Sequence, residues 1–128
     1  MLNSGRSATG IYNTVQSIPD GDAQGLVTSV KLAEAGNIQD ITIAVDIDHA
    51  YLGDVEIAVI APSGDRILLQ GRTLGIKTKL QTSYTLANTA SLRLLLGSAS
   101  QGTWKLEVID AIAGDTGKLN WWQVKINV

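Results

Sequence analysis

Cysteine and phenylalanine are absent from the 128 residues, and the chain holds two prolines, one methionine and a single histidine. Each shortage removes an explanation. Without cysteine there is no disulfide, no thiolate nucleophile and no thiolate zinc ligand, although the compartment stays open, since many secreted bacterial proteins also lack cysteine. His49 alone cannot supply the usual histidine and cysteine zinc sets. No apolar run approaches the roughly 20 residues of a membrane-spanning helix, and Met1–Gly5 lacks the apolar stretch of a signal peptide. An export signal is therefore expected outside this chain.

Excess charge of either sign is missing too. Ten basic residues, scattered, stand against twelve acidic ones for a formal net charge of -2, which leaves no electrostatic footprint for nucleic acid or an anionic membrane. The sequence contains no G-x-S-x-G elbow, no G-x-G-x-x-G fingerprint and no P-loop. A hydrolytic triad would have to use His49, and no serine is set on a strand-to-helix turn to meet it. His49 reads instead as a turn or capping histidine, and the chain by itself as no enzyme.

What is present is alternation. A 45% hydrophobic content suffices for one core in a domain of this size, and the thirteen glycines fall between short periodic runs. The Asn/Ser/Gly/Arg/Thr-rich opening through Gly10 reads as a linker or expression remnant, which leaves residues 11–128 for the fold. From Asp40, Ile41, Ile43, Val45 and Ile47 share one face while Thr42, Ala44, Asp46 and Asp48 share the other. After a five-residue connection, Val55, Ile57 and Val59 resume the pattern, which reads as a hairpin. Pro62-Ser63-Gly64 then marks a turn into Arg66–Gln70, extending the pair to a three-stranded meander.

Further strands are expected at Leu26–Leu32, around Leu80–Tyr84, at Trp104–Val108 and at Trp122–Val128, with an edge strand within Ile11–Ile18. Leu92–Leu96 is a strand or one helical turn. Period two with turn residues every eight to twelve positions or so is the pattern of a sandwich. The fold class is all-β: a single-domain antiparallel jelly-roll-type β-sandwich.

The hairpin reading brings a candidate metal site. It would set Asp48 opposite Asp54 and Asp46 opposite Glu56, and opposed carboxylates destabilise a strand pair by up to about 1 kcal/mol unless they splay into solvent or share a cation. Calcium accepts several such oxygens. A solvated acidic edge, with Asp54 bonded to loop backbone, is the plainer reading. Asp110 and Asp115 bracket a second acidic loop, where turn chemistry alone is a sufficient reason for both. Trp104 and Trp122 fall on inward phases and read as core, whereas Trp121 lies on the opposite phase and should face solvent, a neighbouring domain, or a protein or polysaccharide ligand.

The succession His49, Gly53-Asp54, alternating Val55–Val59, Pro62-Ser63-Gly64, Gly102-Thr103-Trp104 and Asp110 to Trp122 resembles the signature of the P domain, or homo B domain, of kexin- and furin-like proprotein convertases. Ile18-Pro19-Asp20 resembles its opening, so the likeness spans about Ile18 to Val128. The resemblance implies a jelly-roll sandwich that accompanies a subtilisin-like catalytic domain in the same parent chain, packs on it and helps it fold and stay stable. It further implies a secreted or cell-surface setting, a structural role for Asp54, and a turn held by Gly64. Leu52 stands where convertases often carry the arginine of Arg-Gly-Asp, so no such role transfers. A free-standing adhesion or carbohydrate-binding module is the alternative function.

Overall fold

The computed structural model describes residues 6–128. Nine strands build two antiparallel sheets: β1 (Ser7–Tyr12), β2 (Gln16–Ile18), β3 (Asp22–Leu32), β4 (Asp40–His49), β5 (Val55–Ile60), β6 (Arg66–Gln70), β7 (Lys79–Thr85), β8 (Gly102–Asp110) and β9 (Gly117–Asn127). The first sheet runs β1-β9-β4-β7, with β2 also on β9, and the second runs β3-β8-β5-β6. Only β5 and β6 form a hairpin between consecutive strands. The other connections from β2 onward carry the chain between sheets, which is the jelly-roll arrangement. No helix of the described residues is long and apolar enough to cross a membrane.

Alternation produces this architecture because successive side chains point to opposite sides of a strand. Ile41, Ile43, Val45 and Ile47 of β4 are wholly buried against Val55, Ile57 and Val59 of β5, Trp104, Leu106 and Val108 of β8, and Leu119, Trp122, Val124 and Ile126 of β9 in one core. Both core tryptophans satisfy their ring N–H: Trp122 Nε1 donates across the sandwich to Thr28 Oγ1 at 2.8 Å, and Trp104 Nε1 donates to the Ser100 carbonyl at 2.9 Å. A buried indole N–H without a partner would cost free energy that these bonds avoid.

Three sequence expectations change. β4 and β5 are not a hairpin: β4 lies between β9 and β7, and β5 between β8 and β6, so β4 has no edge left for β5. Residues 50–54 instead cross from one sheet to the other through a 3-10 turn, Leu52–Asp54, whose Leu52 plugs the core. The linker expected through Gly10 enters the sheet earlier, since Ser7–Tyr12 pairs with β9 from Ser7↔Asn127 to Tyr12↔Trp122. Residues 1–5 of that segment lie outside the described residues. The edge strand expected within Ile11–Ile18 is two strands, both seated on β9. Leu92–Leu96 resolves as part of a 3-10 turn, Ala90–Leu95, that buries Leu92 and Leu95.

Candidate functional site

A buried polar pair closes the end of the sandwich where β4, β8 and β9 meet. His49 closes β4 and Asp110 closes β8, and both side chains are fully enclosed. The Tyr51 N–H donates to His49 Nδ1 at 3.0 Å, which leaves the ring proton on Nε2, 2.9 Å from Asp110 Oδ2. The other Asp110 oxygen accepts the Ile112 N–H at 3.1 Å. One residue from each sheet is thereby joined through the interior. Gly117 begins β9 against this pair, and a Cβ on it would fall 2.5 Å from His49 Cδ2 and from the Asp48 carbonyl oxygen. Only hydrogen fits there.

A shallow cleft of about 590 Å³ opens above His49, lined by Ser17, Asp20, Asp48, Thr78, Thr116 and Lys118 among others. Ser17 is the one serine of that lining. Both ring nitrogens of His49 are committed to Tyr51 and Asp110, so none is left to take a proton from Ser17. His49 thus caps a turn, as the sequence reading has it, and also bonds to a partner 61 residues away that the reading did not pair with it.

The acidic candidates disperse. The outward face of the first sheet holds Asp46 and Asp48, bridged by Asn120, whose Nδ2 donates to Asp46 Oδ1 at 2.9 Å and to Asp48 Oδ2 at 2.8 Å. Gln81 Nε2 donates to the other Asp46 oxygen at 2.6 Å, and Lys79 Nζ lies 3.1 Å from Asp48 Oδ1. The Asn120 bond, then Lys79, hold the Asp48 carboxyl below its ordinary range, and Asp48 in turn raises Lys79. Glu56 lies outside the second sheet, where Arg66 bonds it at 3.0 Å and Glu107 at 2.7 Å. Those carboxylates, Glu107 foremost, push the Arg66 guanidinium further up.

The expected oppositions of Asp48 with Asp54 and Asp46 with Glu56 therefore do not occur, because Asp46 and Asp48 lie on the first sheet, Glu56 on the second and Asp54 in the turn that crosses between them. Asp54 is half-buried in the crossing turn, and Asp115 is half-buried in the β8–β9 loop. No three acidic or histidine side chains among the described residues converge on a point that would hold a metal. Both oxygens of Asp48 and of Asp110, and Oε2 of Glu56, accept protein donors.

Trp121 pairs with Asp46 across β4 and β9 and is half-buried on the outward face. Between Asp46↔Trp121 and Ile47↔Leu119 the register slips by one residue, Asn120. This bulge lets Leu119 and Trp122 both face the core, a phase change that strict alternation does not foresee.

A sequence profile of the proprotein convertase P-domain matches residues 38–126. The chain belongs to this family. Among curated proteins, the P domain described here is 35% identical over 112 residues to the calcium-dependent protease of Trichormus variabilis, covering 85% of this chain and 17% of that one. It is 31% identical to the transglutaminase-activating metalloprotease of Streptomyces mobaraensis, covering 88% of this chain and 14% of that one. The fold superposes on the serine protease of Aeromonas sobria, crystallised with a chaperone, at a TM-score of 0.74 with 19% identity, covering 93% of this chain and 26% of that one. The P domain therefore spans a minor part of the proteases it matches, 17% or less of these two curated relatives.

Proposed function

We propose that this P domain is a non-catalytic accessory unit of a larger secreted protease, with a subtilisin-like serine endopeptidase domain in the same parent chain, and that it acts by stabilising that domain or presenting substrate to it. The observation that carries the reading is that the one histidine is enclosed and bonded on both ring nitrogens, within a domain that similar proteins carry as a small share of a protease. Relatives named as a calcium-dependent protease and as a metalloprotease support it further. A module shared between unlike proteases is not the part that supplies their chemistry. The subtilisin-like assignment rests on the resemblance of the Gly53-Asp54 and Pro62-Ser63-Gly64 signature.

Deleting residues 6–128 from the parent protease tests the proposal. The expected result is a lower yield of folded enzyme and a lower melting temperature. A deleted enzyme that folds, resists heat and cleaves its substrates unchanged would sink it.

Calcium is a separate matter. Because oxygens of Asp48, Glu56 and Asp110 accept from Asn120, Lys79, Arg66 and His49, titration of the P domain with calcium is expected to release no heat at these three residues, which leaves Asp54 and Asp115 of the candidates for the ion. Stoichiometric binding lost in Asp48→Asn or Asp110→Asn would restore the ion to those residues.

A further inference from the structure

We infer that β1 is a detachable strap, and that the β9 edge beneath it is a strand-addition site which β1 fills in the closed domain. The two strands that flank β9 over residues 122–126 are unequal. β4 sets Ile41, Ile43 and Val45 opposite Ile126, Val124 and Trp122, all of them wholly buried. β1 sets Ala8, Gly10 and Tyr12 opposite the same three residues. Its inward side thus brings one methyl, one hydrogen and a half-buried phenol to the core, while its outward Ser7, Thr9 and Ile11 are exposed. A strand so placed is held chiefly by its backbone ladder, and segments with few buried apolar groups open at a free energy below that of the whole fold.

Ties beyond the ladder are few. Arg6 pairs with Glu34 at 2.7 Å, but the side chains are 61% and 38% exposed, where such a pair adds little. The Val128 N–H donates to the Arg6 carbonyl at 3.1 Å. Asn13, Thr14 and Val15, all exposed, follow β1 as a hinge, and the chain regains the core at Ile18 of β2. Lifting β1 leaves the interior roofed, because Val30 and Leu32 of β3 already fill the space under Gly10: a Cβ there would fall 2.9 Å from Leu32 Cδ2 and 3.0 Å from Val30 Cγ2. An incoming strand meets the same two side chains. It must carry glycine opposite Val124 and a small residue opposite Ile126, so the occupant is an extended segment of the form Ala-x-Gly-x-Tyr, which is β1 itself. In strand addition the main-chain hydrogen bonds supply affinity and the alternate side chains supply selectivity.

Native-state hydrogen exchange of the full chain tests the strap. The ladder amides of β1 are expected to exchange on the order of a hundredfold faster than those between β4 and β9, at a rate that dilute urea leaves unchanged. β1 amides that exchange only at the global rate would overturn the inference. A second measurement uses Gly10→Val, which jams the strap open. This variant is expected to keep a cooperative melt and the tryptophan fluorescence of the closed domain, with protection lost in β1 alone. Loss of folding in it would show β1 to be integral and would overturn the inference as well. The site itself is read by NMR, adding a synthetic peptide of residues 6–12 to the Gly10→Val chain. Shifts confined to β9, Val30 and Leu32 are expected, and none from the same peptide carrying Gly10→Val. Binding by both peptides, or by neither, removes the strand-addition site.

Discussion

His49 and Asp110 are joined by one hydrogen bond between two enclosed side chains. His49→Ala strands a buried carboxylate oxygen and is expected to lower unfolding free energy by roughly 3 kcal/mol. Asp110→Asn is the more conservative change. An amide can accept from His49 Nε2 only by turning its NH2 toward the Ile112 N–H, so one donor always meets another, at about 1–3 kcal/mol. Urea denaturation of the two variants checks both figures, and a variant as stable as the parent sequence would show the pair to be dispensable. The turn role of His49 was legible, because a lone histidine before Ala50-Tyr51-Leu52-Gly53 belongs to a connection. Its bond to Asp110 was not, since 61 residues of chain separate them and Asp110 reads locally as an ordinary turn aspartate.

Strands were legible where alternation is clean, as from Ile41 to Ile47 and from Trp104 to Val108, and every one of those inward residues is wholly buried. Partnership was not, because alternation says which side of a strand faces the core and nothing about which sheet holds it. That gap moved β5 out of the expected hairpin, and the acidic oppositions went with it. Nor does the sequence announce the bulge, although Asn120 between Leu119 and the Trp121-Trp122 pair is where period two breaks. Asn120→Ala should remove a donor from nearly buried Asp46, at about 1–2 kcal/mol, and let the Asp48 carboxyl rise toward its ordinary range. Since the folded Asp48 titrates below its unfolded value, its stabilisation holds above the unfolded value and is lost as pH falls through the folded one. Carboxyl NMR titration of the variant checks this: an unmoved Asp48 would mean that Lys79 and Lys118 hold it down without Asn120.

Across the molecule, β9 is the strand on which the rest is assembled. It pairs with β1 and β2 along one edge and with β4 along the other, and its Trp122 bonds to Thr28 in the opposite sheet. A chain ending at Thr116 would keep eight strands yet leave β1 and β2 without a partner and β4 with one edge open, so it is expected to show neither a cooperative thermal transition nor native circular dichroism. Topology of this kind, with the earliest strands waiting for the latest, folds in roughly milliseconds to seconds. It also sets an order of events during synthesis. Ser7–Tyr12 leaves the ribosome first and has nowhere to pair until Trp122 to Asn127 has followed it out. The P domain is thus absent until translation has passed its final strand, and any message cut short within it yields strands with no sandwich to join.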